Sequence, residues 1–209
     1  ISLDFRETAP AKSSHDMFLD EKGNVVKGLS WSSILSSGVP GSVAGLGYIH
    51  EKYGILPWEK VLYPSILLAK YGFPLDPYTV AVLNSNKYKK KLSSVSSTKK
   101  IFCKDHSFKI GELFVQQDLS NTLSRIAKYG YREFYEGLTA DYILKCMNRT
   151  DGLISRQDLK GYKAIERKPI KFSYKDNIVY SMPPPSSGGI TLAQILNQIE
   201  LVDLSKTSF

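Results

Sequence analysis

Asn177-Ile178-Val179-Tyr180-Ser181-Met182, followed by Pro183-Pro184-Pro185-Ser186-Ser187-Gly188-Gly189, is the stretch on which the fold turns. The residues before the prolines read as a strand, and Ile190 to Glu200 beyond the glycines read as a helix. Three prolines lock φ and remove three N–H donors, so the backbone is expected to leave its sheet in a stiff, extended form. Ser186 and Ser187 then offer hydroxyls, and the two glycines let another backbone or a ligand approach closely. A strand that stops on a rigid, small-residue turn before a helix is a place where α/β-type folds put chemistry. The same turn also serves as a plain strand-to-helix connector, so a functional reading requires a second element brought to it.

Working back from that run, Lys175-Asp176-Asn177 is a turn that joins the strand Asn177–Met182 to an earlier one, Tyr162–Ile170, as a hairpin. Ser155-Arg156-Gln157-Asp158 has the form of a capping box opening a short helix. Upstream of it helices dominate. Gly38-Val39-Pro40-Gly41 is a tight turn before a helix with Val43, Leu46, Ile49 and Tyr53 at helical spacing, stopped by Gly54. Pro57 starts a second helix through Leu62, Ile66 and Ala69 to Tyr71-Gly72, with a kink expected at Pro64. Asp76-Pro77 opens a third, to about Asn86. Gln117–Tyr129 is amphipathic through Leu119, Leu123, Ile126 and Ala127, and Arg132–Met147 continues as helix interrupted at Gly137. Between the lysines of Lys87–Lys91 and Lys99-Lys100, the Ser-rich stretch Leu92–Thr98 reads as a solvated, mobile loop, and Lys99–Cys103 after it as a short strand. The fold class is therefore α+β: a helical lobe over about 40–160 and a strand-rich end over about 161–209, with a β-hairpin, in one partial domain. Most of any large sheet is expected to lie outside this chain.

Composition narrows the function classes. At 209 residues, 42% hydrophobic and 23% charged, the chain has ordinary globular values and can bury a substantial core. No stretch approaches the ~20 apolar residues of a membrane span. Cys103 and Cys146 are too few for a disulfide framework and lack metal spacing, and His15, His50 and His106 stand in no ligand pattern. The net charge of +8, with Lys87, Lys89, Lys90, Lys91, Lys99 and Lys100, invites a nucleic-acid reading. The segment has no stacking aromatics beyond Tyr88, whereas RNA-binding modules interleave aromatics with basic residues, so nucleic acid is set aside. No cofactor is called for. Ile1 in place of Met suggests an internal piece of something longer.

The second element that the proline run requires is Asp4-Phe5-Arg6-Glu7-Thr8-Ala9-Pro10. Phe5 is expected to anchor this segment in a core while Arg6 points elsewhere. A guanidinium is suited to clamping a carboxylate, because its planar fork makes two parallel charge-assisted hydrogen bonds. Taken with Leu3, these residues, Asp16 to Asp20, Gly38 to Gly45, Tyr53-Gly54, Leu56-Pro57-Trp58, Gln117-Asp118-Leu119, Phe134-Tyr135-Glu136-Gly137, Gly152 to Ser155, Asp158-Leu159, Pro183 to Gly189 and Gln194 to Asn197 run in the order of one known family. The chain resembles γ-glutamyltranspeptidase (glutathione hydrolase), of the N-terminal nucleophile hydrolase superfamily. It departs from the family at Asn148-Arg149-Thr150-Asp151, where Asn-Gly-Gly is usual, and in the Lys/Ser segment.

The resemblance implies a partial piece of an αββα sandwich, an internal part of the large subunit of a self-cleaving precursor. It implies cleavage of the γ-glutamyl bond of glutathione and transfer of the glutamyl group to water or to an acceptor amino acid or peptide. Arg6 falls at the position that holds the substrate α-carboxylate. The nucleophilic threonine of the family belongs to the small subunit, so no catalytic residue is expected in this chain, and no metal. Bacterial family members imply periplasmic or secreted residence. Two alternatives stand beside this reading: a related acylase on the same fold, acting on β-lactam side chains or poly-γ-glutamate, and a helical scaffold without chemistry of its own.

Overall fold

In the computed structural model, which describes residues 1–202, a short strand opens the chain and helices follow it for most of its length. The order is β1 (Ser2–Asp4), α1 (Leu29–Ser32), α2 (Ser42–Tyr53), α3 (Trp58–Tyr71), β2 (Phe73–Pro74), α4 (Pro77–Asn84), α5 (Asn86–Leu92) and α6 (Ser96–Phe102). It continues with β3 (Leu113–Phe114), α7 (Gln117–Tyr129), α8 (Glu133–Glu136), α9 (Leu138–Arg149), α10 (Arg156–Gly161), β4 (Ile165–Arg167), β5 (Ile170–Tyr174), β6 (Asn177–Ser181) and α11 (Gly188–Ile199). The strands pair antiparallel in two-stranded sheets, β1 with β4, β2 with β3 and β5 with β6. This is the α+β class, with its strands in short ladders. The chain divides into two compact units, Ile1–Tyr48 with the part from Cys146 onward, and Ile49–Lys145, and the boundaries fall inside α2 and α9.

The first unit is built around its N-terminal segment. Ser2 pairs with Arg167 and Asp4 with Ile165, so residues far apart in sequence share a ladder. Thr8 then bridges Val39, which is fully buried. The capping box is present: the Ser155 hydroxyl accepts from the Asp158 N–H, and the Asp158 carboxylate accepts from the Ser155 N–H at 2.8 Å. The same carboxylate accepts the Ala11 N–H at 2.8 Å, which ties down the chain beyond Pro10. In the hairpin β5–β6, Ile170 faces Ser181 and Tyr174 faces Asn177 across the ladder, with Lys175 in the left-handed region at φ 49°. Ile170, Phe172 and Val179 are half-buried, α11 lies against both strands, and Ile178 and Tyr180 are exposed.

The second unit rests on α3 and α7. Trp58 Nε1 donates to the Ile126 carbonyl at 2.9 Å and the Ser120 hydroxyl to the Ile66 carbonyl at 3.3 Å, while Ala69, Ile126 and Ala127 are buried. Beside them Leu75, Leu83, Phe108 and Phe114 form a core on which Val80, Leu92 and Phe102 pack. Asn84 clamps the loop that carries Phe108 with two hydrogen bonds, at 2.8 and 2.9 Å.

Three expectations need correction. The Lys/Ser segment is not a loop but two short helices, α5 and α6, because each places one large apolar side chain, Leu92 and Phe102, on that core. For the same reason Lys99–Phe102 is helix rather than strand, and Cys103 follows it as the extended C-cap. The expected strand Tyr162–Ile170 breaks in two: Ile165–Arg167 pairs with β1, and Ile170 begins the hairpin. A strand at Ser2–Asp4 was not anticipated. The helices around Gly54, Gly72 and Gly130 stop where expected, and α3 runs on through Pro64.

Candidate active-site segment

Arg6 and the proline run line the same cavity. Leu3, Asp4, Phe5, Arg6, Glu7 and Ser42 form one side and Met182, Pro183, Pro185 and Ser186 the other, around a volume of about 540 Å³. Arg6, Glu7 and Pro185 also border a neighbouring cavity of about 470 Å³, with Tyr162, Lys163 and Arg167. The two motifs that the sequence separates by more than a hundred and seventy residues thus face one space.

The backbone under Arg6 is fixed on every side. Its N–H donates to Asp4 Oδ1 at 3.2 Å, and its carbonyl accepts the Tyr162 hydroxyl at 2.6 Å. Asp4 Oδ2 in turn accepts Arg167 Nε at 2.8 Å and lies 2.7 Å from Arg167 Nη2. The Arg167 hydrogen bond, with that of the Arg6 N–H, holds the Asp4 carboxyl below its usual range. Tyr162 is 5% exposed, and burial, with the charges of Asp4 and Glu7, pushes its phenol up, so it stays a donor. The Arg6 side chain is left open: it is 61% exposed, and its nearest carboxylate is Glu7 at 3.5 Å.

Small residues make the approach possible. A Cβ on Gly41 would sit 2.0 Å from Tyr162 Oη and 2.1 Å from the Phe5 carbonyl oxygen, and one on Gly45 would fall 2.3 Å from the Phe5 ring. Both are distances that real side chains do not adopt, so α2 admits the segment under Arg6 only because these two residues lack a side chain. Phe5 packs against Gly45 on one face but is 37% exposed, so it lies at the surface and not in a core as expected.

The proline run departs from the extended form. Ser186 N–H donates to the Pro183 carbonyl at 3.2 Å across a cis Pro184–Pro185 bond, which makes it a tight turn. Of its two glycines only Gly189 is sterically required: a Cβ there would meet the Met182 carbonyl oxygen at 2.1 Å, whereas one on Gly188 would only touch Ser186 Oγ at 3.6 Å. Gly189 thus lets α11 start directly against the end of β6.

The sequence reading missed Tyr162 and Arg167. Both act through contacts that span more than 150 residues, hydrogen-bonded to the Arg6 carbonyl and the Asp4 carboxylate, and neither sits in a local pattern that marks it. The histidines serve local structure: His15 meets Asp16 at 2.6 Å, His50 the Leu56 carbonyl at 2.8 Å, and His106 Glu112 at 3.4 Å. Among the described residues no group of His, Cys, Asp and Glu is placed to hold a metal ion, and no helix is long and apolar enough to cross a membrane.

Arg6 and the proline turn thus share one cavity of the first unit, on a backbone cleared by Gly41 and Gly45. The chain belongs to the γ-glutamyltranspeptidase family, whose model matches residues 1–209, and with it to the N-terminal nucleophile hydrolases. It is 44% identical over 209 residues to the glutathione hydrolase proenzyme of Escherichia coli K12, covering 100% of this chain and 36% of that protein. It superposes on the γ-glutamyltranspeptidase of Helicobacter pylori with a TM-score of 0.94 at 41% identity, covering 99% of this chain and 59% of that one. The Pseudomonas nitroreducens enzyme, solved in complex with L-DON, matches with a TM-score of 0.87 at 34% identity, over 99% of this chain and 61% of that one.

Proposed function

We propose that this chain supplies the carboxylate-binding part of a γ-glutamyltransferase and glutathione hydrolase. Arg6 is its substrate-binding residue, and the observation that carries the reading is the open Arg6 guanidinium on a rigid backbone at the cavity shared with Pro183–Ser186. Its fork receives the α-carboxylate of a γ-glutamyl group, and a two-pronged contact fixes that end of the substrate in direction as well as position.

The reacting groups come from the small subunit of the same precursor. A threonine hydroxyl there attacks the γ-amide carbonyl and its own α-amino group takes the proton. The C–N bond breaks, the amine leaves protonated, and a γ-glutamyl ester remains on the threonine. Water, or the amine of an acceptor amino acid or peptide, then resolves the ester. Arg6 lies remote from the scissile bond, so its work is orientation. No cofactor takes part, and family members in bacteria support periplasmic or secreted residence. The chain forms, on this reading, one partial domain of the large subunit, with a helical lobe and a strand-rich end.

The test is Arg6→Lys in the complete enzyme, which keeps the charge and loses the fork. Truncating such a contact costs about 2–5 kcal/mol, a loss of roughly 30-fold to several-thousand-fold in kcat/KM for glutathione, with most of it in KM. Precursor cleavage proceeds as before. A kcat/KM within about twofold of wild type would make Arg6 a structural arginine.

A further inference from the structure

Between Asp76 and Asp105 the chain has no acidic residue and seven lysines: Lys87, Lys89, Lys90, Lys91, Lys99, Lys100 and Lys104. Outside that stretch the basic and acidic residues nearly cancel, so almost the whole net charge of +8 is concentrated in it. The structure makes it a surface. Leu92 and Phe102 hold α5 and α6 down on the core of the second unit, while Lys87, Lys90, Lys91, Lys99 and Lys100 are exposed. Among the described residues none of these five is within ion-pair distance of a carboxylate; Lys104 alone is neutralised, by Glu112 at 2.6 Å. Exposed apolar side chains are interleaved with them: Tyr88 in α5, Val95 between the helices and Ile101 in α6.

We propose that the α5–α6 helical pair docks the protein on a membrane surface that carries anionic headgroups. Like charges left this close together without counter-charges destabilise the isolated chain, and an anionic plane relieves that repulsion. The type of cation selects the partner. All seven are lysines, compact hydrated charges without the fork that reads an individual phosphate, which suits a diffuse plane of headgroups rather than a shaped anion. The aromatic platform that single-stranded nucleic acid stacks on is missing from the segment, where Tyr88 stands alone. Val95 and Ile101 favour an interface with an apolar layer beneath its charges over a soluble polyanion. This docking is independent of the γ-glutamyl site, and its test reads binding rather than turnover.

The complete protein is sedimented with phosphatidylcholine vesicles and with vesicles of phosphatidylcholine mixed with phosphatidylglycerol, at low salt and at ~0.5 M salt. Binding is expected to the phosphatidylglycerol vesicles alone, and to weaken as salt is raised. Each lysine near an anionic surface contributes about fivefold, so replacing Lys90, Lys91, Lys99 and Lys100 together by Gln weakens binding by on the order of 100-fold or more. Replacing the same four by Arg preserves it, and Val95→Ser lowers the part that survives high salt. Circular dichroism of each variant reports whether α5 and α6 remain folded, and should they not, the lipid and salt comparisons on the wild type decide alone. Equal binding to both kinds of vesicle, binding unchanged in the four-Gln variant, or tighter retention by heparin or duplex DNA than by the vesicles would each overturn the proposal.

Discussion

Arg6 and the lysines of α5–α6 are both exposed cations, yet the molecule holds them in opposite ways. Beneath Arg6 the backbone is gripped by a buried tyrosine, an aspartate locked to Arg167 and two glycines that admit no side chain. Beneath the lysines Leu92 and Phe102 reach the core, and Lys87, Lys90, Lys91, Lys99 and Lys100 are exposed. The difference teaches what each can do. One guanidinium carried on a fixed backbone can orient a single carboxylate, and many clustered ammonium groups respond to a field.

If the contrast is real, the first region must be intolerant of substitution and the second tolerant. Gly41→Ala has the largest expected effect: its Cβ would strike both Tyr162 and the Phe5 carbonyl, at a cost of about 3 kcal/mol or more in a denaturant titration. Gly161→Ala, where a Cβ meets nothing within 4 Å, should leave the midpoint unchanged or slightly raised. Equal midpoints for the two would show that the segment under Arg6 can move aside.

Tyr162→Phe comes next, since it leaves the Arg6 carbonyl without its 2.6 Å donor. The expected cost is about 1–2 kcal/mol in stability, with a several-fold rise in KM for γ-glutamyl substrates and little change in kcat. A fall in kcat with KM constant would place Tyr162 in the chemistry rather than behind Arg6.

The acid limb of the stability profile separates the regions in another way. Glu112 is lowered from 4.5 to about 2 by hydrogen bonds from Lys104 and the Lys109 N–H, so its contribution is complete above pH 4.5 and is lost as pH falls toward about 2. Asp4, lowered from 3.8 chiefly by Arg167, acts with the same sign. Glu112→Gln should flatten the profile over its own window and leave the Asp4 part in place, as followed by thermal unfolding against pH. An unaltered slope would mean that the Glu112 cluster persists in the unfolded chain. The smallest effect belongs to Lys90→Gln, within about 0.5 kcal/mol of wild type, because the side chain is exposed and, among the described residues, has no carboxylate within ion-pair distance.

Much of this was legible along the chain. The ends of α2, α3 and α7 follow from Gly54, Gly72 and Gly130, and the capping box from Ser155 and Asp158, because each is a contest among near neighbours. Arg6 and the proline run could be paired from the motifs they carry. The Lys/Ser segment misled because its composition is that of solvated chain, and two apolar anchors reversed the outcome once Phe108 and Phe114 were folded beneath them.

Local sequence determined helices α2, α3 and α7 with their stops, the capping box of α10 and the chemistry available at Arg6, since propensity, capping and the choice of a guanidinium are properties of one residue and its few neighbours. Tertiary structure alone decided that Ser2–Asp4 pairs with Ile165–Arg167, that Tyr162 and Arg167 stand behind Arg6, and that Gly41 and Gly45 are indispensable while Gly188 is not. The physical reason is that a two-strand ladder, a clash at 2.0 Å and a hydrogen bond across 156 residues exist only after the chain has closed on itself.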